Sequence, residues 1–103
     1  MSELQTVSSE NTLPAPIAAS IALPLVLIAA ADPGSRLNRT RHFEQRGYRV
    51  AVARTPFETI VKASCHLPDL IVVDCSFGED GVSETTELLT TCPATAHIPI
   101  VRL

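Results

Sequence analysis

The sequence predicts a small α/β domain built on a parallel sheet, and three observations carry that prediction. Two short apolar runs, LVLIAAA from Leu25 and LIVV over Leu70 to Val73, are unbroken rather than alternating, as expected of strands covered on both faces. Each run stops at an aspartate and a loop of small residues: Asp32-Pro33-Gly34 after the first, and Asp74 followed by CSFGEDG after the second. Segments of helical composition separate one strand from the next, at lengths that suit right-handed crossovers.

A chain of 103 residues allows one small domain, and 46 % apolar content is enough for a core. Eight Lys and Arg against eleven Asp and Glu give a net charge of −3, which is no footprint for a phosphate backbone. With Phe43, Tyr48, Phe57 and Phe77 as the only aromatics, there is no base-stacking platform either, so nucleic acid is excluded as a partner. Cys65, Cys75 and Cys92 are odd in number and widely spaced, which fits reduced thiols in a cytoplasmic protein rather than a zinc site or a disulfide framework. An acidic neighbour, Asp74, argues against a reactive thiol at Cys75. The 21 uncharged residues between Glu10 and Asp32 are long enough for a membrane span. Pro14, Pro16 and Pro24 interrupt them and the preceding segment is acidic, so neither a membrane segment nor a signal peptide is expected.

Residues 1–24 are rich in Ser, Thr, Pro and Ala without a period and read as a flexible leader; the ordered domain is expected over 25–103. The first strand runs from Leu25 to a turn at Asp32-Pro33-Gly34. Ser35 to Arg46 is a predicted helix, anchored by Leu37 and Phe43 and followed by Gly47 where a left-handed residue ends a helix. Arg36, Arg39, Arg41 and Arg46 make it the basic element of an acidic chain, either a solvated face or a docking surface for an acidic partner. Tyr48 to Val52 alternates and is placed toward an edge of the sheet. Thr55-Pro56-Phe57-Glu58 carries an N-cap, a proline at the first helical position and a glutamate three residues past the cap. The helix it opens is expected to bury Phe57, Ile60, Val61 and Ser64 and to end before Pro68. After the strand that ends at Asp74, a loop leads to a short helix over Ser83 to Thr91 with Leu88 and Leu89 inward. A last strand covers Ile98 to Leu103.

Asp74 stands at the carboxyl end of a central strand, the edge at which open α/β sheets bind ligands, although Asp also ends strands and opens turns for purely local reasons. From about Leu25 to Leu103 the chain resembles a response-regulator receiver domain of two-component signalling. The resemblance rests on EQRGYRV (Glu44 to Val50), PDLIVVD (Pro68 to Asp74), the pair Asp80-Gly81 and PATAHIPIVRL (Pro93 to Leu103). It implies a flavodoxin-like parallel sheet in the order 2-1-3-4 with flanking helices, lacking a fifth βα unit. It implies a phosphoacceptor at Asp74. It further implies Mg²⁺ held by Asp74, by acidic residues at the end of the first strand and by the main-chain carbonyl of Ser76, since a carboxylate attacking a phosphoryl group needs its charge neutralised.

The chain departs from that pattern in four ways. Ala30 and Ala31 stand where the family's acidic pair belongs, leaving Asp32 one position late as a displaced metal ligand. The loop after Asp74 lacks a proline and is one residue short. The chain stops at Leu103, before the family's switch hydroxyl, phosphate-contacting lysine and last helices, and no output domain follows. The expectation is therefore a degenerate receiver-like module that is not an enzyme and acts by binding a protein, with Arg36 and Arg39 on the docking helix. The partner would be a histidine kinase, a phosphotransfer protein or the missing C-terminal part, and the exposed sheet edge offers a route to a homo-oligomer. Two alternatives stand beside it: a working phosphoacceptor at Asp74 completed in trans, and a truncated fragment without activity of its own. A nucleotide-binding or hydrolytic enzyme finds no support, because GxxxxGK[ST], GxGxxG and GxSxG are all absent and His42, His66 and His97 lack ligand spacing.

Overall fold

A computed structural model describes residues 23–103; the leader read from the sequence lies outside the described residues apart from Leu23 and Pro24. The elements follow in the order β1 (Leu25–Ala29), α1 (Pro33–Glu44), β2 (Arg49–Ala53), α2 (Pro56–His66), β3 (Leu70–Val73), a 3₁₀ turn (Cys75–Phe77), α3 (Gly78–Thr91) and β4 (Ile100–Arg102). All four strands are parallel and lie in the order β2-β1-β3-β4, as expected from the sequence. Val26 pairs with Val50 and Leu70, and Ile71 with Ile100, so the two apolar runs form the centre of the sheet.

The sheet separates two apolar layers. Val26, Ile28, Ala30 and Val72 face α1, with Phe43, Tyr48 and Val50 packed against them. Leu27, Ala53, Ala63, Ile71, Val73, Leu89 and Ile98 form the other layer beneath α2 and α3. Residues of alternating parity thus serve opposite faces, which is why β1 and β3 read as continuous apolar runs. No described helix is long and apolar enough to cross a membrane.

The structure corrects several local expectations. The turn at Asp32-Pro33-Gly34 is the start of α1: the Asp32 carboxylate accepts from the Ser35 N–H at 2.8 Å as N-cap, and Pro33 occupies the first helical position, where its missing N–H costs nothing. The helix ends at Glu44, two residues earlier than expected, with Gly47 beyond it at φ 90°. Phe43 does anchor α1, meeting Tyr48 edge to face at 5.5 Å, whereas Leu37 is exposed. The inward stripe of α1 is Arg36, Arg39, Thr40 and Phe43, and Leu37 lies one residue, about 100°, off it.

A similar one-residue error affects α2. Its sheet-facing stripe is Pro56, Thr59, Ile60 and Ala63, so Phe57 (78 % exposed), Val61 and Ser64 point outward. Small residues at the contact let α2 lie close to the sheet and to α3. At Gly81 of α3 a Cβ would stand 3.1 Å from the Phe77 Cβ and 3.9 Å from the Pro56 ring. The Thr55 hydroxyl accepts from the Glu58 N–H at 3.0 Å, as the sequence signal indicates, while Glu58 Oε1 accepts from the Arg54 N–H at 2.6 Å, one residue outside the usual reciprocal cap. That main-chain hydrogen bond, helped by Lys62, holds the Glu58 carboxyl below its ordinary value.

The loop expected after Asp74 is instead helical. α3 opens at Gly78 rather than Ser83, because Glu79 and Asp80 in its first turn suit the positive end of the helix dipole. Gly78 at φ 80° supplies the change of direction from the 3₁₀ turn. Leu89 is fully buried as expected, but Leu88 is exposed, and Thr85 fills the second inward position. The last strand is shorter than the predicted Ile98 to Leu103, with Ile98 buried just ahead of it.

Candidate functional site

The loops that leave β1 and β3 meet at the carboxyl edge of the sheet, and hydrogen bonds cross between them. The Asp74 N–H donates to the Ala29 carbonyl at 2.8 Å, continuing the β1–β3 ladder by one residue and carrying the aspartate into the interior. Its side chain is fully buried. A buried carboxylate needs partners for both oxygens. Arg39 Nε donates to Oδ1 at 2.6 Å, and the Ser76 N–H donates to Oδ2 at 2.9 Å.

Arg39 reaches Asp74 because it sits one turn before Phe43 on the inward stripe of α1. Phe43 packs on the sheet, so the residue four positions earlier on the same face lies over the strand ends. The Arg39 side chain is 29 % exposed, so the pair stands at the boundary of the interior. Burial pushes the Asp74 carboxyl up. The Ser76 hydroxyl and N–H, then the Arg39 guanidinium, more than offset this and leave it below the ordinary carboxylate value.

Three further groups are committed to the same framework. The Ser76 hydroxyl accepts from the N–H groups of Ala31 at 2.9 Å and Asp32 at 3.2 Å, clamping the β1 exit to the β3 exit. Arg36 Nη1 donates to the carbonyls of Ala30 at 2.9 Å and Ala31 at 3.1 Å, closing the end of β1. Asp32 directs one carboxylate oxygen to its own helix cap and is otherwise exposed.

The family that the sequence resembles places Mg²⁺ beside the aspartate, so the donors present can be tested for that ion. A divalent cation of this kind is held by several oxygens, commonly including more than one carboxylate. At this edge the side chains of Ala30 and Ala31 offer none, the Asp32 carboxylate caps α1, and the Asp74 carboxylate carries a guanidinium. Among the described residues no group of three His, Cys, Asp or Glu is placed to share a metal ion. The donor set fits an internal ion pair and not a magnesium site.

Of the residues singled out from the sequence, the structure therefore brings Asp74, Ser76 and Arg39 together, sets Asp32 at the rim and turns Arg36 onto main-chain carbonyls. The contacts missed in the sequence are Arg39 to Asp74, 35 residues apart, and the Ser76 hydroxyl clamp. The spacing of Arg39 and Phe43 was the available signal for the first. No local pattern announces the second.

No protein-family model and no curated protein matches the sequence. Solved structures do. The chain is similar to the N-terminal domain of a response regulator receiver protein from Methanoculleus marisnigri, with 27 % identity, a TM-score of 0.72 and coverage of 79 % of this chain and 66 % of that one. It is similar to the signal receiver domain of a signal transduction histidine kinase from Syntrophus aciditrophicus, with 25 % identity, a TM-score of 0.71 and coverage of 78 % and 61 %. The receiver domain of a sensor histidine kinase from Pseudomonas aeruginosa, described with a magnesium ion coordinated in its active-site cleft, matches at 18 % identity, a TM-score of 0.72 and coverage of 79 % and 66 %. The chain spans about two thirds of the length of these structures. Four parallel strands in the order β2-β1-β3-β4 with flanking helices match that likeness, and the described chain has the receiver-domain fold of response regulators.

Proposed function

We propose that this chain is a non-enzymatic signalling module of a two-component phosphorelay whose Asp74 serves as one half of a structural ion pair, and that it acts by binding another protein. The observation that carries this reading is the 2.6 Å contact between Arg39 Nε and the buried Asp74 carboxylate. A carboxylate that attacks a phosphoryl group must present a lone pair to phosphorus with a cation poised on the phosphoryl oxygens. Here the cation is fixed on the carboxylate itself, and the neighbouring groups that would hold a metal are alanines or a helix cap. The partner class is a histidine kinase or a phosphotransfer protein, met along α1, where Arg41 and His42 are exposed alongside the committed Arg36 and Arg39. The outer edge of β4, unpaired among the described residues, is a second contact surface, open to another copy or to further chain.

The test is intact-mass analysis of the protein incubated with Mg²⁺ and a small-molecule phosphodonor, beside an Asp74→Ala control. The reading expects no phosphoryl mass on either protein. A mass gained by the natural sequence and lost in the control overturns it and favours a second reading, phosphotransfer at Asp74. That second reading draws support from the position of the aspartate at the end of β3.

A further inference from the structure

α2 and α3 lie side by side on one face of the sheet, packed together where a Cβ at Gly81 would stand 3.9 Å from the Pro56 ring. α2 rests on β1 and β2, at the opposite edge of the sheet from β4. Its outer face turns Phe57 and Val61, one turn apart, to solvent. Leu88 follows Gly81 by seven residues, about two turns along one stripe, so it emerges on the side of α3 that meets α2, and it too is exposed. Large apolar side chains gathered on one face mark a contact surface more often than single exposed ones do.

The rest of the α3 wall is acidic. Asp80, Glu84 and Glu87, spaced four and three residues apart, form the exposed stripe beside Leu88. α3 holds Glu79 as well and has no Lys, Arg or His, and among the described residues none of its acids enters an ion pair. The lysine of α2 does not neutralise them: Lys62 Nζ donates to the Val52 carbonyl at 2.7 Å and lies 3.7 Å from Glu58. The two helices therefore present an apolar wall beside a wall of unpaired negative charge.

We propose that this face is a docking site for a basic amphipathic helix of another protein, with its apolar stripe seated on Phe57, Val61 and Leu88 and its lysines or arginines set along Asp80, Glu84 and Glu87. One-turn spacing on both walls matches the anchors that a helix presents on one side. Because the acids are unpaired, a cationic partner gains contacts without breaking any, whereas an acidic helix would set carboxylates against carboxylates. The inference goes beyond the partner reading above, since it uses neither Asp74, α1 nor the edge of β4, and either can fail alone.

The test titrates the full chain into a fluorescein-labelled synthetic helix of 14 residues, the length of α3, with leucines at i, i+4 and i+7 and lysines along one flank, and follows fluorescence anisotropy. Binding is expected, and Phe57→Ser should weaken it about tenfold, as for an aromatic anchor. A Glu84→Lys, Glu87→Lys double variant should lose the lysine peptide and take up a version carrying glutamates instead. All three substitutions are at exposed positions, and matching far-ultraviolet spectra show that the variants are folded. No binding by the natural chain, equal affinity for Phe57→Ser, equal affinity of the natural chain for the glutamate peptide, or a double variant indifferent to the exchange of charge each overturn the proposal. So does a natural chain that dimerises in sedimentation and loses the dimer in Phe57→Ser, which would make a second copy the occupant.

Discussion

Arg39 Nε and Asp74 Oδ1 stand 2.6 Å apart, joining the middle of α1 to the end of β3 across 35 residues of sequence. The contact is the one ion pair among the described residues in which a partner is fully buried. Removing the cation leaves a buried carboxylate with only the hydroxyl and N–H of Ser76. Arg39→Ala is therefore expected to cost roughly 3 kcal/mol, the low end for a broken buried pair because the arginine is part exposed. Urea unfolding of Arg39→Ala, Asp74→Ala and the double variant checks this, and the two single losses should not add.

Acid titrates the same pair. Asp74 has a folded pKa below its unfolded value, so the unfolded chain binds the extra proton. Its contribution to stability is complete above about pH 4 and is lost as pH falls through the lower folded value. Thermal unfolding between pH 5 and pH 2 should show a steeper decline for the natural sequence than for Asp74→Asn. Equal slopes would mean that the pair carries no net stabilisation.

The outward position of Phe57 makes a sharp contrast with Leu89. Phe57→Ser is expected to change stability by no more than about 0.5 kcal/mol, as for surface positions generally, whereas Leu89→Ala should cost about 2–5 kcal/mol. Chemical denaturation distinguishes this from the pattern in which Phe57 is the anchor of α2.

Thr85 is fully buried on the inner side of α3, and its hydroxyl has no hydrogen-bond partner. Thr85→Val keeps the shape and removes the unsatisfied group, so it should stabilise the domain by about 1 kcal/mol. A lower melting temperature for this variant would show that the hydroxyl is paired in solution.

Leu67 ends α2 at φ 48° with its side chain exposed. A left-handed conformation costs a residue with a Cβ about 1–2 kcal/mol, and glycine's greater freedom in the unfolded chain takes back part of the gain. Leu67→Gly is expected to raise the melting temperature, and a fall would overturn this account of the cap.

Strands β1 and β3 were legible because burial on both faces leaves an unbroken apolar run; the βα alternation indicated a parallel sheet, and its strand order came from the resemblance to receiver domains. Helix faces were harder to read. Phe57 and Leu37 are the more hydrophobic residues, yet the inward stripes pass through Thr59 and Ala63 in α2 and through Arg39 and Phe43 in α1. Close packing selected small side chains, and a buried charge selected an arginine, over bulk hydrophobicity. The start of α3 was hidden by Gly78 and Gly81, which read as loop residues although one turns the chain and the other admits Phe77 and Pro56 at close range. At the candidate site the position of Asp74 was readable. The Ser76 clamp was not, since hydroxyl contacts 45 residues away leave no trace in spacing.

Arg36 closes the end of β1 by holding the carbonyls of Ala30 and Ala31, and this limits which neighbouring sequences a point mutation can reach. A carboxylate introduced at Ala31 would arrive beside a guanidinium already in place and form one more salt link. The two guanidinium groups thus buffer this edge against single charge changes, absorbing a new acid into contacts that already exist.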